Sequence, residues 1–190
     1  MGPSRLSVRS RRLGLRTAAV ASVALTAALL AGCEDDPEAD GTTSRLCGIL
    51  DESAAAEVTG DAEVSGFGGG DLDATRRQGN AITCTVSTSG GEDRIQITTM
   101  DLADQAERDE MQAQLADEIE GSTDCAPRTD DPPGYVCERA DETTIAVVFP
   151  DRWVRVTANA RVGGTPPAPD AAIAVAENVD KNLTAHDEDQ

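Results

Sequence analysis

The sequence predicts an α+β fold in which a single domain forms a two-layer sandwich, with an antiparallel sheet of about five strands packed against two or three helices. Three observations support this prediction. Apolar residues recur at helical spacing at both ends and in the middle of residues 45–185. Apolar and polar residues alternate in several short segments between these helices, and turn residues separate consecutive alternating segments, as in an antiparallel meander. A domain of this length can bury one hydrophobic core.

The first 32 residues precede this domain and differ from it in composition. Positive residues without any acid come first, an apolar run follows over 17–31, and the small residues Ala31 and Gly32 end it. This is the layout of a secretory signal, and the run is shorter than the ~20 apolar residues that a permanent transmembrane helix needs. We therefore predict a signal peptide over 1–32. Its basic residues are Arg5, Arg9, Arg11, Arg12 and Arg16.

The signal ends in a motif that indicates more than export. Leu30-Ala31-Gly32-Cys33 resembles the lipobox of bacterial lipoproteins, in which a branched apolar residue and two small residues precede an obligatory cysteine. The resemblance implies that the Cys33 thiol becomes a thioether to a diacylglycerol and that cleavage makes Cys33 the new N-terminus. Two acyl chains hold a protein stably at a bilayer, whereas one does not. We therefore predict a lipid anchor on the extracytoplasmic face of the cell membrane, with the membrane as a partner through Cys33.

Two export routes remain open for this signal. Residues 10–16, Ser-Arg-Arg-Leu-Gly-Leu-Arg, resemble the twin-arginine motif Ser/Thr-Arg-Arg-x-Phe-Leu-Lys, with Gly14 in place of phenylalanine and Arg16 in place of lysine. Adjacent arginines also arise by composition alone in an arginine-rich start. The general secretion route is therefore the preferred prediction, and the twin-arginine route is the alternative.

Residues 33–44 are a predicted flexible tether, because acidic residues, Pro37 and small polar residues occur there without apolar periodicity. The formal charge of the chain is −19, and removing the five arginines of the signal leaves −24. Nucleic-acid binding requires a basic surface, so this balance predicts no nucleic-acid partner. Arginine is almost the only base, with Lys181 the single lysine, a bias typical of actinobacterial proteins. Residues 186–190 are a predicted disordered acidic tail.

Four further cysteines follow Cys33, namely Cys47, Cys84, Cys125 and Cys137. An even number in an exported domain favours two disulfides, and four cysteines allow three pairings. We predict Cys47–Cys84 and Cys125–Cys137, from their order along the chain and because Pro132-Pro133-Gly134 turns the short loop back on itself.

A metal site is disfavoured, since the sequence has no Cys-x-x-Cys pair and its single histidine, His186, is distant from every cysteine. We predict no metal and no other cofactor.

The domain begins with a predicted helix over 46–58, where apolar residues recur at helical spacing, and Gly60 is its predicted end. A short strand is predicted over 62–65. The glycine-rich run 66–70 then predicts a flexible loop. We do not interpret this run as a phosphate-binding loop, because no strong strand precedes it, no helix is predicted after it, and acidic residues adjoin it.

A hairpin and a helix follow in the middle of the domain. Apolar residues alternate with polar ones over 82–86 and again over 95–99, and a glycine-containing turn separates the two segments. Cys84 is expected to point inward, as a bridge to the first helix requires. Asp101 is the predicted cap of a helix over 102–120, which has an apolar stripe and an acidic outer face.

Three strands and a helix are predicted in the last part of the chain. The strands lie over 135–139, 144–149 and 152–158, and the second of them is nearly continuously apolar, which indicates burial on both faces. In the third strand Val154, Val156 and Ala158 share one face. A proline-rich segment ends the sheet, and an apolar stripe predicts a helix over 170–183.

Three of these features resemble a known family when they are taken together. They are the helix opening Leu46-Cys47-x-Ile49-Leu50, the run of small residues up to Gly60, and the strand cysteine in Ala81-Ile82-Thr83-Cys84. This combination is similar to small actinobacterial surface lipoproteins of unknown function, although Thr85-Val86 stand where many members carry a tryptophan. The resemblance implies an envelope lipoprotein with a disulfide-bonded α+β domain, and it implies no activity.

The sequence contains no recognisable catalytic constellation. A serine or cysteine hydrolase needs a base beside its nucleophile, and His186 lies among acids near the end of the chain. We therefore predict that the protein is not an enzyme but a binding or accessory module of the cell envelope, with an envelope protein as partner. The strand face of Trp153 and Arg155 is the predicted binding surface.

Two alternatives to this function remain open. A carboxylate-dependent cell-wall glycan hydrolase needs two acids in a cleft, and acids are abundant, but sugar sites usually stack rings and aromatic residues are scarce. A small-ligand carrier would hold its ligand between the sheet and the helices. The four aromatic residues are Phe67, Tyr135, Phe149 and Trp153.

Overall fold

The structure is a computed structural model that describes residues 44–189 apart from 78, 162 and 163. The predicted signal peptide, Cys33 and the tether up to residue 43 lie outside the described residues. The strands are β1 (Arg45–Leu46), β2 (Leu50–Asp51), β3 (Val64–Gly68), β4 (Ile82–Thr88), β5 (Asp93–Asp101), β6 (Cys125–Arg128), β7 (Gly134–Glu138), β8 (Glu142–Val148) and β9 (Arg152–Asn159). The helices are α1 (Glu52–Thr59), α2 (Leu72–Arg77), α3 (Gln105–Glu118) and α4 (Pro169–Glu188).

Seven strands form one antiparallel sheet in the order β3-β4-β5-β9-β8-β7-β6, and β1 pairs with β2 in a separate ladder. The predicted α+β fold, with an antiparallel sheet packed against helices in a single domain, is confirmed. The strands predicted over 82–86, 95–99, 135–139, 144–149 and 152–158 are the five central ones, and each of them buries at least one face. Two edge strands, β3 and β6, complete the sheet.

The first face of the sheet packs against α4 and α1. The residues buried on this face include Val86 on β4, Ile97 on β5, Val147 on β8 and Val156 on β9, because alternate side chains of each strand point to it. The apolar stripe predicted for the last helix faces the same core. Its buried residues on α4 are Ala172, Ile173, Val175, Ala176, Val179 and Leu183.

The second face of the sheet carries α3, which packs on β7 and β8. Leu115 is buried beneath α3, with Met111 and Ile119 beside it. Ala146 and Val148 point to this face while Ile145 and Val147 point to the first, so β8 is buried on both faces as its sequence predicts. Helix α3 therefore adds a further layer over half of the predicted two-layer sandwich.

The first predicted helix, over 46–58, is helical only in its second half. Leu46 pairs with Leu50, and the chain between them turns tightly, with φ of 53° at Cys47 and 75° at Gly48. Helix α1 consequently begins at Glu52. It does end at the predicted Gly60, whose φ of 61° is typical of a glycine after a helix. The apolar residues of 46–50, which suggested an earlier start of the helix, lie in this turn and its two short strands and are buried against the first face.

The predicted loop over 66–70 begins as a strand. In β3, Val64 pairs with Thr88 and Gly68 pairs with Cys84. The strand predicted over 62–65 therefore starts later than expected and continues into the glycine run. A Cβ on Gly69 would lie 2.4 Å from the carbonyl oxygen of Cys47, so the turn after β1 contacts the backbone here directly. Helix α2 follows and was not predicted.

Helix α3 begins later than predicted, and the prediction of Asp101 as its cap is wrong. Asp101 is the last residue of β5, where it lies opposite a residue of β9. Asp104 caps the helix instead, since its carboxylate accepts hydrogen bonds from the backbone N–H groups of Ala106 and Glu107. Glu107 in turn accepts from the N–H of Ala103.

The last helix continues to Glu188, so the prediction of a disordered tail over 186–190 is wrong for residues 186–188. Asp187 explains the difference, because it forms ion pairs with Arg76 and Arg152 and thereby holds the final turns of α4 to the rest of the domain. Within residues 44–189, with the gaps given above, no helix has the length and apolar character needed to cross a membrane.

Both disulfides join the cysteines that the sequence analysis paired. Cys47–Cys84 links the turn after β1 to the buried face of β4. Cys125–Cys137 links residues that lie directly opposite each other on β6 and β7. The segment between Cys125 and Cys137 is a hairpin, as the prolines and glycine in it predict.

Candidate functional site

Trp153 and Arg155, the predicted binding residues, lie on β9 and point to the second face of the sheet. The guanidinium carbon of Arg155 lies 5.2 Å from the centre of the Trp153 ring, which is a cation–π contact. Arg155 also forms an ion pair with Glu118 of α3. Both residues are half-buried. The structure thus brings the two predicted residues together, with α3 as their neighbour.

Glu118 connects the end of α3 to this part of the sheet. The Tyr135 hydroxyl donates a hydrogen bond of 3.0 Å to the Glu118 carboxylate, and burial raises the pKa of Tyr135 above its usual value. Trp153 packs in the apolar cluster under α3, and its buried Nε1 has no hydrogen-bond partner among the described residues. These contacts give Trp153 and Arg155 a structural role, and a binding role for them stays a prediction.

The part of the second face that no described residue covers lies on β3, β4 and β5, away from α3. We call it the open face and define it by Phe67, Thr83, Thr85, Gln96 and Thr98. Its side chains lie in register, since Phe67 is opposite Thr85 and Thr85 is opposite Gln96. Thr83 and Gln96 are exposed, and Thr85 and Thr98 are half-buried. The open face is therefore a polar sheet surface with an aromatic residue at its edge.

The two edge strands of the sheet differ in their protection. On β6, Pro127 lacks an N–H group and Arg128 carries a charge, and both features discourage pairing with another strand. On β3 the residues from Ser65 to Gly68 are exposed and uncharged. Phe67 is 83% exposed and is the one large hydrophobic side chain exposed among the described residues. The β3 edge is therefore the better docking edge, and the sequence analysis missed it by assigning Phe67 to a loop.

A groove lies beside the open face, between α3 and the end of β5. Its volume is about 500 Å³. Met100, Leu102 and Met111 supply apolar surface, and Glu107 and Glu110 supply carboxylates. We call it the α3 groove. The sequence offered one signal for it, namely a helix with an acidic outer face beside a strand end.

A cluster of ion pairs lies where β9 begins. Arg152 is 1% exposed and places its Nε 3.1 Å from Asp180 and its Nη2 3.2 Å from Asp187. Asp187 also binds Arg76, which donates a 2.5 Å hydrogen bond to Asp101. The hydrogen bond from Arg76 lowers the pKa of Asp187, whereas burial raises the pKa of Asp180 despite its attraction to Arg152. The cluster joins α2, β5, β9 and α4.

The remaining reactive side chains form no further site within the described residues. The Nε2 of His186 lies 3.7 Å from a carboxylate oxygen of Asp73. The cysteines there are held in the disulfides Cys47–Cys84 and Cys125–Cys137 and offer no thiolate. In residues 44–189, with the stated gaps, no group of three or more His, Cys, Asp or Glu side chains is placed to hold a metal ion. The described surfaces are suited to non-covalent contact.

Together these observations define a small α+β domain with two disulfides, one half-covered sheet face and an acidic groove. No protein-family model matches the chain, no curated protein matches it, and no solved structure matches it. Function therefore has to be inferred from the residues and geometry of this chain alone.

Proposed function

We propose that the protein is a lipoprotein anchored through Cys33 to the extracytoplasmic face of the cell membrane. The observation that carries the proposal is how the cysteines pair in disulfides. The chain has five, and the two described disulfides pair the four cysteines other than Cys33 with each other. Cys33 is also the residue that the lipobox pattern selects for lipidation. Two disulfides in a small domain agree with an oxidising compartment outside the cytoplasm.

The anchored domain, in this proposal, is a non-enzymatic binding module for a protein of the cell envelope. The open face supports this, because an exposed Phe67 at an unprotected strand edge is suited to pairing with an extended segment of a partner. The face is polar beside this edge, which fits a reversible contact better than a permanent one. The strongly acidic chain favours a partner with a basic surface.

The anchor is tested by replacing its thiol. We expect Cys33→Ser to abolish lipidation, because a hydroxyl cannot form the thioether, and so to remove the two acyl chains that hold the protein at the bilayer. The measurement is fractionation followed by mass spectrometry of the N-terminal peptide. Thr42→Ser, a similarly small change in the tether, should stay in the membrane. A wild-type chain that is unmodified and still carries Met1 would contradict the proposal.

The binding surface is tested by site-specific photo-crosslinking in intact cells. A photo-reactive residue at Gln96, on the open face, should give at least one discrete adduct with another envelope protein. The same residue at Glu177, which is exposed on α4 at the opposite side of the sheet, is the matched control. Identical adducts from both positions, or none from Gln96 at wild-type expression, would contradict a binding role for the open face.

A further inference from the structure

The α3 groove has the size of a small-ligand site. Its volume of about 500 Å³ falls within the ~300–1,000 Å³ of pockets that bind small molecules. One wall is formed by α3, through Glu107, Glu110 and Met111. The other is formed by the end of β5 and the residues after it. Arg76, near the end of α2, also lines the groove.

The apolar surface of the groove consists largely of methionine. Met100 and Met111 both line it and both are half-exposed, and the third methionine of the chain is Met1. Methionine side chains are flexible and polarisable, so they adapt to apolar bodies of different shapes. Leu102 lies beside them and is buried. The groove can therefore cover an apolar group of a ligand.

The charges that line the groove are predominantly negative. Arg76 is its one described cation, and this guanidinium already binds Asp101 and Asp187. Glu107 and Glu110 form no ion pair with any described cation, although Glu107 accepts a hydrogen bond from the backbone N–H of Ala103 and Glu110 accepts one from the side-chain amide of Gln114. Two carboxylates beside an apolar surface thus remain without a compensating positive charge in the described part of the chain.

We propose that the α3 groove binds an organic cation with an apolar body. The methionines cover the apolar part, and Glu107 and Glu110 attract the positive charge. The net charge of the chain adds a long-range attraction for cations and repels anions of the same shape. This site matches the place where a small-ligand carrier would hold its ligand, between a helix and the sheet. The inference does not depend on the anchor, because the whole groove lies in the described domain.

The test uses three soluble probes that share one aromatic ring, namely benzyltrimethylammonium, phenylmethanesulfonate and benzyl alcohol. Binding to the full chain is followed by the NMR signals of ¹³C-labelled methionine methyl groups. We expect saturable shifts of Met100 and Met111 with the cation and at least fivefold weaker binding of the other two probes. Raising the salt concentration from about 50 to about 500 mM should weaken the binding of the cation, since the carboxylates are near the surface.

Two variants make the result specific to the groove. Glu110→Gln should weaken binding of the cation about twofold to fivefold, the range for a partly exposed charge pair. Glu120→Gln removes the same charge from an exposed position outside the groove and should leave binding unchanged. Equal binding of all three probes, or equal binding to wild type and Glu110→Gln, would overturn the proposal. Since Glu110 is exposed, its replacement does not endanger folding.

Discussion

Replacing Cys47 and Cys84 together by alanine is expected to lower the free energy of unfolding by about 4 kcal/mol. The bridge joins residues 37 positions apart, so its loss releases a long loop in the unfolded chain. It also frees the turn between β1 and β2, which the burial of Leu46 and Leu50 and a hydrogen bond from the Asn182 side chain to the carbonyl oxygen of Ile49 otherwise hold to the core. Urea unfolding monitored by circular dichroism measures the effect, and thermal unfolding should show a midpoint lower by roughly 10–20 °C.

The second disulfide provides the matched control for this prediction. Cys125 and Cys137 are only 12 positions apart and lie opposite each other in a hairpin that backbone pairing already closes. Replacing both by alanine should cost about 3 kcal/mol, less than loss of the longer-range bridge. If the two double variants were equally stable, or if their order were reversed, loop length would not explain the contribution of the first bridge.

The central part of the fold could be predicted from the sequence because its signals are local. Strands β4, β5, β7, β8 and β9 alternate or are continuously apolar over their own length. Gly60 marks the end of α1 by its backbone conformation, which few other residues adopt. The disulfide pairs followed from chain order and from the turn residues between Cys125 and Cys137. None of these inferences needs knowledge of a distant contact.

The parts that could not be predicted depend on distant contacts. Apolar residues near Leu46 have helical spacing, yet a bridge to Cys84 and a close approach to Gly66 hold them in a turn between two short strands. Phe67 belongs to a strand because β4 supplies an edge to pair with, and nothing in the glycine run itself indicates this. Asp101 could have been a cap by sequence, and it is the pairing of β5 with β9 that extends the strand to this residue.

The candidate surfaces also divide into features with local sequence signals, which could be predicted, and features that depend on distant contacts, which could not. Trp153 and Arg155 share a face because residues two apart on a strand do so, which the sequence predicted. The position at which α3 packs on the sheet decides that these two residues are half covered. The same position decides that the uncovered area lies on β3 to β5. The α3 groove exists only because the end of β5 and α3 lie side by side, so its two methionines gave no signal in the sequence.

Arg152→Met is expected to lower the free energy of unfolding at neutral pH by about 2 kcal/mol. Alternation places Arg152 on the same face as Val154, at the end of the core, where it faces Asp180 and Asp187 of α4. Methionine keeps much of the apolar stem but leaves these carboxylates without the buried cation. The cost should stay below the ~3–5 kcal/mol of a fully buried pair, because both carboxylates touch solvent and Asp187 retains Arg76.

The pH dependence of this variant distinguishes lost ion pairing from lost packing. The pKa of Asp187 is lowered in the folded protein, so its contribution to stability is present above the pKa of the unfolded chain and is lost as the pH falls through the folded pKa. Removing Arg152 should also raise the pKa of Asp180 further, since burial and the negative charge of Asp151 both raise this pKa and Arg152 is the cation that opposes them. The difference between variant and wild type should therefore shrink below about pH 4, where aspartates become protonated. Arg139→Met, which removes an exposed arginine paired with Glu142, should cost less than about 0.5 kcal/mol at any pH. A pH-independent loss in Arg152→Met would mean that Arg152 stabilises the domain by packing and not by charge.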